Sequence, residues 1–315
     1  MRIGRASLQP LLPILIGAGL TTLFFLGITY FREGGPRDIN SNDRARILQL
    51  ITQMRINIVS ASEAETSAVV AQTDQAATNF AEQARAATAS VERARGEVAP
   101  LISRSGAGNE KDLFARFSQA FIEFQQVQTA LLDLAVKNTN VKAYGLAFGP
   151  ATEALHNLDD ALNRVIDASE GTADAVAVSK AAFRVQIGAL RIQTLLAPHI
   201  AEAEDKKMDE LEAVMSVEDK EVRVNLDRLA QLDRSHDQAF VDAAKAAYAD
   251  FTSIRKNILA LSRENTNVRS LAISLDQKRK VTALCQDPLD ALQQIAQQAL
   301  VKQKIENPRA ILGPQ

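Results

Sequence analysis

From Arg44 onward apolar residues recur every three or four positions, in segments about 60 residues long separated by short polar breaks. In one segment Phe114, Phe117, Phe121, Phe124, Leu131, Ala135, Asn138 and Gly145 keep this register, with Gln128 and Lys142 in intervening slots. In another, Ile187, Leu190, Thr194, Ala197, Ala201, Glu204, Met208, Leu211 and Met215 do the same. Such stripes predict amphipathic helices with a coiled-coil-like seam, and the Phe and Met positions read as core. The breaks carry end signals. Residues 103–112 (SRSGAGNEKD) offer Asn109 as an N-cap, residues 169–174 (SEGTAD) place Gly171 just past a helix end, and Ser235 with Gln238 forms a capping box.

Four segments joined by short turns predict an all-α, elongated up-down-up-down four-helix bundle over residues 44–305, built as hairpin repeats 44–169 and 172–301. In that arrangement the second and fourth helices are diagonal and parallel. Gly149-Pro150, Pro198 and Asp287-Pro288 fall inside the segments and predict interruptions, and Ser216 with Asp219 reads as a helix restart. These interruptions keep two stacked bundles open beside one continuous bundle. The Ala- and Thr-rich stretch between Ala61 and Ala94 suits close helix approach.

The sharpest local pattern precedes the bundle. Residues 11–31 (LLPILIGAGLTTLFFLGITYF) carry no charge. They are long enough to span a hydrocarbon core of roughly 30 Å as a helix. The exit Thr29-Tyr30-Phe31-Arg32 has interfacial aromatics and lacks a small-x-small cleavage pattern, so the segment reads as an uncleaved anchor in the lipid bilayer between a short tail (1–10) and a linker (32–43). Arginines flank it on both sides (Arg2 and Arg5; Arg32, Arg37, Arg44 and Arg46), so charge counting leaves the orientation open.

Composition narrows the function classes. Net charge is −2 and Trp is absent, so nothing calls for a nucleic-acid partner, and Lys278-Arg279-Lys280 reads as a solvated helix face. The single cysteine, Cys285, excludes an intrachain disulfide and reads as a packing residue. His156, His199 and His236 are scattered, and no HExxH, CxxC, phosphate loop or GxSxG motif occurs, so an enzyme and a bound cofactor are not expected. The spacing His199-x-x-Glu202-x-x-Asp205 aligns three possible metal ligands, but a core-edge histidine after Pro198 is the better reading.

One tetrapeptide, Asn-Thr-Asn-Val, occurs at Asn138 and again at Asn265, about 127 residues later, each time after an aromatic pair (Phe121 and Phe124; Tyr248 and Phe251). A weaker likeness links MRINIVSASE around Arg55 with LRIQTLLAPH around Arg191. An Asn on an apolar seam needs a partner, so Asn138 and Asn265 are expected to share one level near the bundle axis. They form either a register-fixing polar layer or a small-ligand pocket lined also by Arg55, Arg191, Glu202 and Asp205.

With these residues in view, NTNVKAYGLAFGPATEALHNLDDAL, its second copy NTNVRSLAISLDQKRKVTALCQDPLDAL, and LAPHIAEAEDKKMDELEA resemble the four-helix-bundle sensor region of methyl-accepting chemotaxis receptors. The resemblance implies an inner-membrane, single-pass protein with its bulk periplasmic. It also implies a homodimer paired through the first helices, for which residues 68–90 offer a small-residue face. Those receptors continue into a second span, a HAMP linker and a signalling coiled coil, whereas residues 301–315 are short and polar. The expectation is therefore a sensor that hands its signal to a membrane receptor or kinase, with an envelope scaffold lacking any ligand as the alternative.

Overall fold

The computed structural model describes residues 39–105, 108–232 and 238–306, and nearly all of them are helical, with no strand among them. In order these are α1 (Ile39–Val69), α2 (Asp74–Ser105), α3 (Gly108–Ala135), α4 (Thr139–Phe148), α5 (Pro150–Ser169), α6 (Ala175–Ala201), α7 (Asp205–Leu232), α8 (Gln238–Glu264), α9 (Thr266–Ile273) and α10 (Arg279–Glu306). A π-helical turn, Ser274–Lys278, joins α9 to α10. The anchor-like segment 11–31 and Ser235 lie outside the described residues. Among the described residues no helix is long and apolar enough to cross a membrane.

Two through-running paths organise the chain. α3, α4 and α5 follow one another, as do α8, α9 and α10, and the two paths run antiparallel, with α3 against α10 and α5 against α8. The other helices are hairpins laid on each half. α1 and α2 complete a first four-helix lobe with α3 and α10, and α6 and α7 complete a second with α5 and α8. The first lobe closes over Ile47, Met54, Phe117, Phe121, Phe124, Cys285 and Leu289, with a further apolar cluster around Ala81, Leu131 and Leu132. The second closes over Leu158, Val185, Ile192, Leu226, Tyr248 and Phe251. Of the two arrangements left open by the pattern, the chain adopts the stacked one.

The expected long first and third helices are in fact hairpins, and side-chain caps are the reason. At residues 70–73 the Thr73 hydroxyl accepts the Ala76 N–H at 3.2 Å, and Asp74 adds a negative charge to the first turn of α2. At residues 202–204 the Glu202 carboxylate accepts the N–H groups of Ala203 and Glu204 at 2.8 and 2.9 Å. Because each hairpin folds back, the second and fourth segments become antiparallel neighbours rather than parallel diagonals. Arg55 of α1 meets Asp290 of α10, and Ser62 meets Thr282, so Ile39 and Glu306 lie at one end, the outer end of the first lobe. Both hairpin tips reach the waist between the lobes, through Asp74 beside Lys142 and Glu202 beside Asn265.

Other expectations divide. Gly149 does separate α4 from α5, because a Cβ there would sit 2.9 Å from the Gly145 carbonyl oxygen. Gly171 turns with φ 76° past the end of α5, as expected. Pro198 and Pro288 interrupt nothing, since α6 and α10 run through them, and α7 runs through Ser216 and Asp219. Asn109 lies inside α3, one residue past its start. Phe117, Phe121, Phe124, Met208 and Met215 are core, but Ile187 and Leu190 face solvent. α7 packs so tightly against Gly188 that a Cβ there would come within 2.6 Å of Val222, and this contact fixes which apolar stripe of α6 turns inward. The small-residue face proposed for dimerisation is also used internally: Ala68, Ala77, Ala81 and Ala84 are buried within the chain's own lobe.

Candidate functional site at the waist and the flanking polar clusters

Both through-running paths break at the repeated tetrapeptide. Asn138 and Asn265 take the left-handed conformation, with φ of 53° and 52°, which Asn tolerates better than other side chains bearing a Cβ. Each break starts a new helix whose first N–H groups have no partner within that helix. The opposite copy supplies the partners. The Thr139 N–H donates to Thr266 Oγ1 at 3.1 Å, and the Thr266 N–H donates to Thr139 Oγ1 at 3.2 Å. The Asn140 and Asn267 N–H groups donate to each other's Oδ1, both at 3.1 Å. Asn140 Nδ2 reaches Asn265 Oδ1 and Asn267 Nδ2 reaches Asn138 Oδ1, both at 2.8 Å. Residue i bonds residue j and j's counterpart bonds i's, the reciprocal pattern of a two-fold interface built inside one chain. Each helix caps the other.

The hairpin tips complete the node. Asn140 Nδ2 also donates to the Ile200 carbonyl and Asn265 Nδ2 to the Glu202 carbonyl, both at 2.7 Å, while Asn138 Nδ2 reaches Asp74 Oδ1 at 3.4 Å. The four Asn and two Thr side chains are thus committed to protein partners. Asn138 and Asn265 share one level as expected, but each pairs with the third residue of the other copy rather than with its own counterpart.

Polar clusters are packed between the helices of each lobe, and those of the two lobes differ. In the first, Glu65 Oε1 accepts from Lys278 Nζ at 2.7 Å and Gln128 Nε2 at 2.6 Å, while Glu65 Oε2 is buried without a hydrogen bond. Lys278 Nζ lies 3.0 Å from the centre of the Phe124 ring. Burial raises the Glu65 carboxyl above its ordinary range and pushes Lys278 down to about 8. The π turn carries Lys278 inward, so the expected solvated Lys-Arg-Lys face loses its first member to the core. Burial likewise pushes the Cys285 thiol up to about 12, which suits packing and not nucleophilic chemistry.

In the second lobe Asp219 accepts from Tyr248 Oη at 2.7 Å, Arg223 Nε at 2.8 Å and Arg255 Nη2 at 3.0 Å. Burial pushes the Asp219 carboxyl up, but these donors outweigh it and hold the group below its ordinary value. Burial and the bond to Asp219 together raise the Tyr248 phenol. His199, fully buried, uses both ring nitrogens, on Ser262 at 2.7 Å and on Glu212 at 2.9 Å. A groove of about 220 Å³ runs between α5 and α6, lined by Thr152, Leu155, His156, Asp159, Leu190 and Gln193. There Gln193 Nε2 donates to the Ala147 carbonyl, which also accepts from Thr152 Oγ1, and Gln193 Oε1 is buried without a hydrogen bond.

The residues expected around a shared pocket are only partly gathered. Asn138, Asn265 and the backbone of Glu202 meet at the waist, and Asp205 stands beside it, its carbonyl accepting from Arg263 at 3.3 Å. Arg55 is in the first lobe, bonded to Asp290 and Gln293 of α10. Arg191 is exposed on α6 of the second lobe and pairs with Glu218 at 3.2 Å. The two arginines belong to different lobes because the waist two-fold sets the hairpin carrying Arg55 on one lobe and its counterpart carrying Arg191 on the other. Sequence reasoning missed Thr139, Asn140, Thr266 and Asn267 as partners, although the tetrapeptide itself was the signal. No family model, curated protein or solved structure matches this chain.

Proposed function

We propose that the chain is a membrane-anchored, extracytoplasmic sensor-like helical bundle of chemotaxis-type signalling, held in the inner membrane by residues 11–31, that binds a small ligand or a partner receptor. One observation carries this reading. Ile39 and Glu306 lie together at the outer end of the first lobe, so an event in the second lobe reaches that end through the waist, where the two paths and both hairpin tips meet. A sensor needs such a separation between the place of binding and the place of report. The α5–α6 groove, with its unpaired Gln193 Oε1, gives a donor-bearing small molecule a place in the second lobe.

Two experiments test it. The full chain in detergent is heated with a metabolite library; a ligand at about 100 times its Kd adds about 2.7 kcal/mol to stability. The expected result is a stabilising compound whose effect disappears in Gln193→Leu. No response from any compound, with the fold intact, favours the envelope-scaffold alternative, which the fully paired waist also suits. For topology, Asn109→Cys in a Cys285→Ser background is expected to react with an impermeant maleimide in intact spheroplasts. Protection until lysis overturns the extracytoplasmic placement.

A further inference from the structure

α6 is apolar on two opposite faces. Val178, Ala182, Val185, Ala189, Ile192 and Leu196 face the core. At about 100° per residue the other side carries Val176, Phe183, Ile187 and Leu190, spaced as a coiled-coil seam. They are 83, 54, 50 and 52 % exposed. A helix with two apolar faces is normally covered on both. The adjoining α7 also carries solvent-facing apolar residues, Val214, Val217 and Val224.

Charge on the two flanks selects the occupant. Beside the stripe on the α7 side stand Lys180 and Arg184, both exposed, and Arg191, which pairs with Glu218 of its own chain. On the α5 side stand Asp159, Asp160 and Asp167. We propose that this α6 face is the interface with a second copy of the chain, packed about a two-fold axis parallel to the helices. That operation sets the basic flank of each copy against the acidic flank of the other at equal height. The opposite choice, an antiparallel pair, sets like against like. The heights also match: Gln193 lies beside Thr152, so counting back along antiparallel α5 and α6 puts Arg184 level with Asp160 to within about one residue, and Lys180 with Asp167 to within about two. A parallel pair also leaves both outer ends of the first lobe pointing the same way, as two copies in one membrane require. The inference does not depend on a small ligand.

The test is disulfide trapping of the full chain in membrane vesicles, in a Cys285→Ser background. On the two-fold axis Ile187 meets its own copy, so Ile187→Cys is expected to give a covalent dimer under mild oxidation. Gln83→Cys, on α2 of the other lobe, is expected to give none. Arg184→Glu should reduce trapping through Ile187→Cys by roughly tenfold, and adding Asp160→Arg should restore it. Circular dichroism of each variant checks that it is folded. Trapping at Gln83 in place of Ile187, no trapping at either, or trapping at Ile187 indifferent to the charge reversal each overturns the parallel pair. A monomer whose Ile187→Cys thiol is shielded from maleimide in vesicles places a different partner on this face and equally overturns it.

Discussion

The two lobes are built alike and filled differently. Each receives one hairpin, shares the same two through-running paths, and meets the waist through a copy of one tetrapeptide. At the repeat spacing Phe121 corresponds to Tyr248, Phe124 to Phe251 and Gln128 to Arg255. The first lobe uses Gln128 to hold one buried carboxylate, Glu65, shared with a lysine delivered by the π turn. The second places Arg255 and Tyr248 on a half-buried Asp219. The paths differ at the same register too: the first breaks at Gly149-Pro150, whereas the second passes through the π turn. Backbone architecture tracks the repeat, while interior chemistry has diverged around it.

The largest expected effect is in the first lobe. Lys278→Met leaves Glu65 buried without its cation and should cost about 3–5 kcal/mol, whereas Glu65→Met with Lys278→Met should be near neutral or stabilising. Urea unfolding of the three variants checks this, and a double variant as damaged as the single would show that the pair is not a unit. The pH dependence has a definite sign. Lys278 is depressed to about 8 from its ordinary 10.5, so between these values the unfolded chain binds more protons, and stability should rise with pH there. Glu65 is raised, so its contribution is present below pH 4.5 and is lost as pH climbs through its folded value. Both slopes should vanish in the double variant.

Exchanging the aromatic pair sharpens the contrast. Tyr248→Phe removes a hydrogen bond to a charged acceptor and should cost about 1.5–3 kcal/mol. Phe121→Tyr puts a hydroxyl into the apolar first-lobe core and should cost about 1–3 kcal/mol. If both changes are neutral, the lobes are interchangeable at this position. Smaller again is the hairpin tip, where Thr73→Ala should cost about 1 kcal/mol by loss of the cap, read from thermal unfolding.

Much of this architecture was legible in the residues, and the failures have causes. The Phe and Met stripes marked the core because three-four spacing is a property of one helix face. Gly149-Pro150 marked a real break because it removes a donor and forbids a Cβ. The hairpin tips at Thr73 and Glu202 were invisible to periodicity: neither has Gly or Pro, and the apolar register continues across both. The seam spacing puts Ile187 and Leu190 in the core because α6 carries two apolar stripes, and only the contact of Gly188 with Val222 decides between them. At the waist the tetrapeptide announced that two polar segments matter. Which Asn bonds which depends on the left-handed backbone at Asn138 and Asn265 and on the antiparallel crossing, neither of which spacing alone specifies.

The central claim is that each waist helix is capped by the other. Amide hydrogen exchange measures this directly. In the intact chain the N–H groups of Thr139, Asn140, Thr266 and Asn267 should exchange slowly, although they begin their helices. Asn267→Ala should accelerate exchange at the Asn140 amide, and Asn140→Ala should accelerate it at Asn267, each across the waist from the substitution. If each substitution instead loosens only its own helix and leaves the opposite amide protected, reciprocal capping is contradicted.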